Sequence, residues 1–197
     1  MFLCSRKRAN VYLAIRELRD KYGFSCAEGI ACNLTRQEGV DLFVSKAREF
    51  FGKDAKIHGV FSNVGTSPSQ ENEARLVVAQ ESEFDEIFHS NLRSQWMLIK
   101  QIHHLLADQG AIVTSSCIGG YTPKSLHDIA KLGVISLSRV LAGELGPSIR
   151  VDSIAWKHKL PPHESVPKVV AFLLSADACH ITGETLVISN SASRPRL

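Results

Sequence analysis

Two segments carry the side chains most able to do chemistry. Ser115-Ser116-Cys117-Ile118-Gly119 closes an apolar run, and His127-Asp128-Ile129-Ala130-Lys131 follows shortly after. Together they offer a hydroxyl, an imidazole that can transfer a proton near neutral pH, and an ammonium group. Asn91 in Ser90-Asn91-Leu92-Arg93 falls inside a long amphipathic pattern, an unfavourable place for a side chain that competes for backbone hydrogen bonds. Eight histidines invite a metal reading. Adjacent His103 and His104 would point in different directions on a helix, and His158 and His163 flank a Pro-Pro turn, so no histidine pair has ligand spacing and no metal is expected. Cys117 reads as strand-end packing, with no further base spaced to activate it as a nucleophile.

The elements that must position these residues alternate between strand and helix, which argues for a parallel sheet with helices on both faces. Phe2 to Cys4 reads as a strand. Val11, Ile15, Leu18 and Tyr22 mark one face of a helix closed by Gly23, and Ala27 to Leu34 is a second strand. Thr35-x-x-Glu38 reads as a capping box before the stripe Val40, Phe43, Val44, Ala47, Phe51, which Gly52 ends. Ile57 to Phe61 is a strand and Ser67 to Asn72 a polar loop. Ser82-x-x-Asp85 opens a long helix carrying Phe84, Phe88, Leu92, Trp96, Ile99, Ile102 and Leu106. Strand Ala111 to Ser115, helix Ile129 to Leu145, strand Ile149 to Ile154, helix core Val169 to Leu174 and strand Glu184 to Ile188 complete the series.

With 197 residues and 44% apolar composition the chain reads as one globular domain, and a formal charge of +3 is too small to imply nucleic acid or a membrane surface. No apolar run approaches a membrane span. Five cysteines without a C-x-x-C pair suggest a reduced, intracellular protein.

The arrangement resembles the short-chain dehydrogenase/reductase family in Asn91, Ser116 and Lys131, with His127 where the family's Tyr-x-x-x-Lys has tyrosine. Asn63 in Ser62-Asn63-Val64-Gly65 is similar to the family's Asn-Asn-Ala-Gly. Gly146-Pro147-Ser148-Ile149-Arg150-Val151, Phe172-Leu173-Leu174-Ser175-Ala176-Asp177-Ala178 and Ile181-Thr182-Gly183-Glu184 resemble its later phrases. The resemblance implies a Rossmann-like doubly wound α/β domain over residues 1–197 and hydride transfer between NADP(H) and a small carbonyl or retinoid. Asn91, Ser116, His127 in the tyrosine's place and Lys131 would be the catalytic set. Ser116 would hold the substrate carbonyl, Lys131 would bind the nicotinamide ribose, and Asn91 would kink its helix and hold a water. Ser5, Arg6, Lys7 and Asn10 would lie at the adenosine ribose, where arginine suits the 2′-phosphate of NADP. Asn33 and Leu34 would face the adenine, and Asn63 and Gly65 would line the cofactor groove.

The sequence departs from that pattern in three places. It contains no G-x-x-x-G-x-G or G-x-G-x-x-G turn and opens at what reads as the family's second strand, so an incomplete sheet without the first strand and Gly-rich turn is expected. Trp156-Lys157-His158-Lys159-Leu160 stands where the family has a Pro-Gly turn and a substrate-covering helical segment. A histidine ring reaches less far than a tyrosine hydroxyl, and a misplacement of about 1 Å can cost roughly a hundredfold. The expectation is therefore a reductase by ancestry with impaired or lost activity and weak or lost NADP(H) binding, or else a non-catalytic relative or decayed splice product. Marginal stability follows from the missing strand, unless the chain forms homo- or hetero-oligomers with related subunits through the helices around Trp96 and Val140. Pro195-Arg196-Leu197 is a weak variant of a peroxisomal signal, giving a cytoplasmic or peroxisomal expectation.

Overall fold

The computed structural model describes residues 1–66, 76–121, 123–156 and 165–189. The expected loop at Ser67 to Asn72, the segment from Lys157 to Leu160, His158 with His163, and the terminal Pro195-Arg196-Leu197 lie outside them. Two compact units are distinguished. The first comprises Met1–Lys56 and Met97–Leu105; the second comprises Ile57–Trp96 and the described part of Leu106–Leu197. Among the described residues no helix is long and apolar enough to cross a membrane.

In the first unit β1 (Phe2–Ser5) and β2 (Glu28–Ala31) pair in parallel, joined by α1 (Arg8–Tyr22). The second strand is shorter than expected: Cys32 N still donates to Ser5 O at 3.0 Å, after which the Asn33 side chain accepts from Thr35 N and Thr35 Oγ1 in a local turn. That turn overrides the expected capping box, because Thr35 serves Asn33 while α2 (Gln37–Phe51) starts after Arg36 with no side-chain cap. Phe2 packs on Phe43 and Phe50 of α2, with ring centroids 5.5 Å apart in each case. Residues Met97, Leu98, Ile99 and Ile102 are buried, and Gln101 donates to Asp41 of α2 at 2.7 Å. The contact with Cys32, with burial, pushes the Cys4 thiol up, while the contact with Cys4 draws Cys32 down against its own burial.

The second unit is a four-stranded parallel sheet in the order β3 (Ile57–Ser62), β4 (Leu106–Cys117), β5 (Ile149–Trp156), β6 (Thr185–Ile188). Strand neighbours alternate their side chains between faces. Val113 joins the apolar cluster of Val170, Leu173 and Ala178, on and after α6 (Ser165–Leu174), whereas Thr114 Oγ1 lies 2.7 Å from Ser138 Oγ on α5 (Leu126–Leu145). One strand thus shows that helices cover both faces, as the alternating pattern required.

β4 is longer than its apolar run because it begins at Leu106, the residue read as the last of a helical stripe. The preceding helix ends at Ile102 in a 3-10 turn, His103–Leu105. That helix is also not continuous: α3 (Glu81–Phe88) passes through a π turn, His89–Arg93, into α4 (Ser94–Ile102). α3 follows Gln80 without a side-chain cap, so Ser82 does not open it. α5 starts three residues before the expected Ile129, because Ser125 Oγ caps it by accepting from Asp128 N. His127 therefore sits in the first turn of that helix.

A buried ion pair ties the second unit together at β5. Arg150 donates to Leu173 O and Ser175 O at the end of α6, each at 2.9 Å, and its guanidinium lies 3.7 Å from Asp152 Oδ2. Asp152 is 1% exposed and accepts from Glu184 N at 3.0 Å. Burial pushes its carboxyl up to about 6, against the pull of that N–H and of Arg150.

Candidate active site

The second unit gathers all four of the expected catalytic residues from three elements. Asn91 comes from the π turn, Ser116 from the end of β4, and His127 and Lys131 from α5, one turn apart; all four are buried. The π turn is built by side chains that take over backbone work. Ser94 N reaches back five residues to His89 O. Ser90 O, which an α-helix would pair with Ser94 N, is met by Ser94 Oγ (2.7 Å), and side chains also reach Ile87 O (Asn91 Nδ2, 3.0 Å) and Asn91 O (Gln95 Nε2, 3.1 Å). Asn91 sits in the π turn that interrupts the helix, and its Oδ1 accepts from Thr66 N at 3.2 Å.

Lys131 Nζ donates to Ser115 O at 3.1 Å, while Ser116 Oγ donates to Lys131 O at 2.8 Å. β4 and α5 are cross-tied by these two bonds, and the Ser116 hydroxyl is directed into the helix backbone. Burial draws the Lys131 ammonium down to about 8, with the nearby Cys117 opposing the shift. Gly65 is exposed beside this group. A Cβ there would stand 2.6 Å from Asn91 Oδ1 and 3.0 Å from Lys131 Nζ, so only glycine lets the β3 loop pass so close to both. Asn63 is exposed two residues earlier.

Gln95 escaped the sequence reading and is fully buried at the hub of the site. Its amide nitrogen lies within 3.2 Å of Val64 O, Asn91 O and Ser115 O, joining the β3 loop, the π turn and β4. The available signal was a glutamine one turn beyond Asn91 in an otherwise apolar stripe. A second cluster was missed as well. His127 and Asp128 stand beside Cys117, with Cys117 Sγ donating to Asp128 Oδ1 at 3.7 Å and His127 Nδ1 4.0 Å from the same oxygen. The reading of Cys117 as having no base near it is corrected here, since the first turn of α5 begins earlier than its apolar stripe.

The other expected cofactor residues belong to the first unit. Ser5 ends β1, Arg6 and Lys7 form the exposed turn before α1, and Asn10 Nδ2 reaches Ser5 Oγ at 3.4 Å. Asn33 is occupied in its own turn, and Leu34 is buried.

A parallel sheet with Ser116 at the end of β4, Lys131 on the next helix and Asn91 in a π turn has known relatives. The chain is 25% identical over 214 residues to the short-chain dehydrogenase/reductase SDRA of Arabidopsis thaliana, covering 94% of this chain and 81% of that one. It is 28% identical over 224 residues to dehydrogenase/reductase SDR family member 4 of Bos taurus, covering 95% and 76% respectively. The family model described as enoyl-(acyl carrier protein) reductase matches residues 1–158. The chain belongs to the short-chain dehydrogenase/reductase family. The fold of levodione reductase superposes with a TM-score of 0.84 at 22% identity, covering 95% of this chain and 85% of that one. Short-chain dehydrogenases/reductases are oxidoreductases that work with a nicotinamide cofactor. The chemistry of Lys131 suits hydroxyl groups of such a cofactor: the ammonium has three donors, of which Ser115 O takes one, and a Cβ at position 65 would stand 3.0 Å from it.

Proposed function

We propose that this chain descends from NADP(H)-dependent reductases of small carbonyls or retinoids and that its proton-delivery step is strongly impaired. A bound nicotinamide would supply hydride to a carbonyl carbon; the protein must orient that carbonyl and give one proton to its oxygen. Lys131 would hold ribose hydroxyls, and Arg6 with Lys7 suits a 2′-phosphate.

The observation that carries the reading is His127. By its spacing from Lys131 it stands where the family resemblance puts the tyrosine, it is 6% exposed, and its ring nitrogen lies near Asp128 and Cys117. A shorter side chain turned into the helix start is badly placed to reach a substrate oxygen. Ser116 adds to the reading, because its hydroxyl donates to Lys131 O.

The test is NADPH oxidation with a dicarbonyl or with retinal, alongside calorimetric titration of NADPH and NADH. The wild-type chain should show no detectable turnover and little NADPH binding. In a chain completed with the missing strand and Gly-rich turn, His127→Tyr should raise turnover at least about a hundredfold over the completed chain with His127, and Arg6→Ala should weaken NADPH more than NADH. Wild-type turnover that equals His127→Tyr and disappears in His127→Phe would make His127 a working proton donor and overturn the proposal.

A further inference from the structure

We propose that Cys117, His127 and Asp128 form a binding site for a soft divalent cation of the zinc class, with an open fourth position. The three residues come from two elements, the last residue of β4 and the first turn of α5. Their ligand atoms all lie within 4.8 Å of one another, and Asp128 Oδ1 is the shared corner, 3.7 Å from Cys117 Sγ and 4.0 Å from His127 Nδ1. A tetrahedral zinc with bonds of about 2.0–2.3 Å has ligand-to-ligand edges of about 3.3–3.8 Å. The existing triangle needs only small side-chain rotations to reach that size.

Two further features favour a built site over a chance meeting of polar groups. Asp128 Oδ2 accepts from Lys124 N and Ser125 Oγ, each at 3.0 Å, which fixes the carboxylate plane and leaves Oδ1 turned to the thiol and the imidazole. Helix capping accounts for Oδ2 and does not account for Oδ1. Gly119 provides the second feature: a Cβ there would overlap Asp128 Oδ1 and come within 2.6 Å of Cγ, so glycine is what admits the carboxylate to this corner.

The donor set selects the ion. Thiolate with imidazole favours zinc and its neighbours in the first transition row, whereas magnesium and calcium take oxygen ligands in larger number. A thiolate and a carboxylate offset the two positive charges of the ion. The α5 N-terminus and the Lys131 ammonium oppose a cation. A thiol must lose its proton to ligate, so loading should release protons. Cys117 and His127 are buried while the Asp128 side chain is 19% exposed, which gives water a route to the ion past the carboxylate.

The test uses the untagged, chelator-treated chain under reducing conditions, titrated with Co²⁺ and then Zn²⁺. Expected are one equivalent of tetrahedral Co²⁺ with a thiolate charge-transfer band, displaced by Zn²⁺. The band should vanish in Cys117→Ser and persist in Cys4→Ser and Cys32→Ser, and Ser125→Ala should weaken affinity about tenfold. X-ray absorption of the zinc-loaded wild-type chain covers the case in which Cys117→Ser does not fold, and should show one sulfur and two or three nitrogen or oxygen neighbours. No stoichiometric band, a band that survives Cys117→Ser, or a zinc shell without one sulfur would each overturn the site.

Discussion

Replacing Asp152 with asparagine should stabilise the protein at alkaline pH and do nothing in acid. The carboxyl is raised from its ordinary value near 3.8 to about 6, because burial outweighs both the Glu184 N–H and the Arg150 guanidinium 3.7 Å away. Below pH 3.8 the group is protonated in both folded and unfolded chains and contributes no penalty. Between 3.8 and about 6 the folded state keeps a proton that the unfolded state has lost, so stability falls as pH rises. Above pH 6 the penalty is complete. At 1.36 kcal/mol per pKa unit it amounts to about 3 kcal/mol. Asparagine keeps an oxygen for Glu184 N and stays neutral at every pH. Asp152→Asn should therefore gain up to about 3 kcal/mol at pH 8, a Tm rise of about 6–12 °C for a chain of this size, with the gain shrinking to nothing near pH 3. Thermal melts of both proteins across that range measure the difference directly. A loss of stability at pH 8, or a difference that does not change with pH, would show that the Arg150 contact outweighs burial and refute the reasoning.

Lys131 gives the opposite slope. Its ammonium is lowered from 10.5 to about 8, so the burial penalty is complete below pH 8 and relieved as pH rises towards 10.5. Lys131→Met should gain about 2 kcal/mol at pH 7 after allowing about 1 kcal/mol for the lost bond to Ser115 O, with the advantage gone above pH 10.5; paired denaturant titrations check it, and a constant gain would contradict it. Gln95→Leu should cost at least about 2 kcal/mol, since Val64 O and Asn91 O lose a buried donor, and it should speed amide exchange in the π turn. An unchanged midpoint would show that these carbonyls find other partners.

The strand–helix alternation was legible because apolar residues recur with periods that only one element satisfies, as in the α5 stripe or the run from Ala111 to Val113. Boundaries were harder wherever a polar side chain decided them. Thr35 has the type and spacing of a cap, yet Asn33 claims it two residues away. Ser125 does cap α5, and with the helix start placed at Ile129 the position of His127 beside Cys117 could not be foreseen. Leu106 continues the helical stripe by spacing, but the helix has already tightened at His103 and the residue begins a strand. The four residues of the candidate set were legible through the family resemblance and the His127-to-Lys131 spacing, and the second unit brings them together. Its supporting glutamine was not, because a single polar residue in an apolar stripe carries no sign of the three carbonyls it will meet.

The π turn at His89–Arg93 has a consequence for how this stretch can vary. It is in effect one extra residue held in a helix, and removing any single residue from it would rotate everything upstream by about 100° relative to α4. Residue count across the stretch is thus constrained independently of residue identity. Identity is constrained jointly: Asn91, Ser94 and Gln95 each serve a carbonyl that a regular helix would have satisfied itself. A shorter variant would leave all three side chains without that task at once, so the deletion and the loss of the three polar residues should travel together as a single heritable unit.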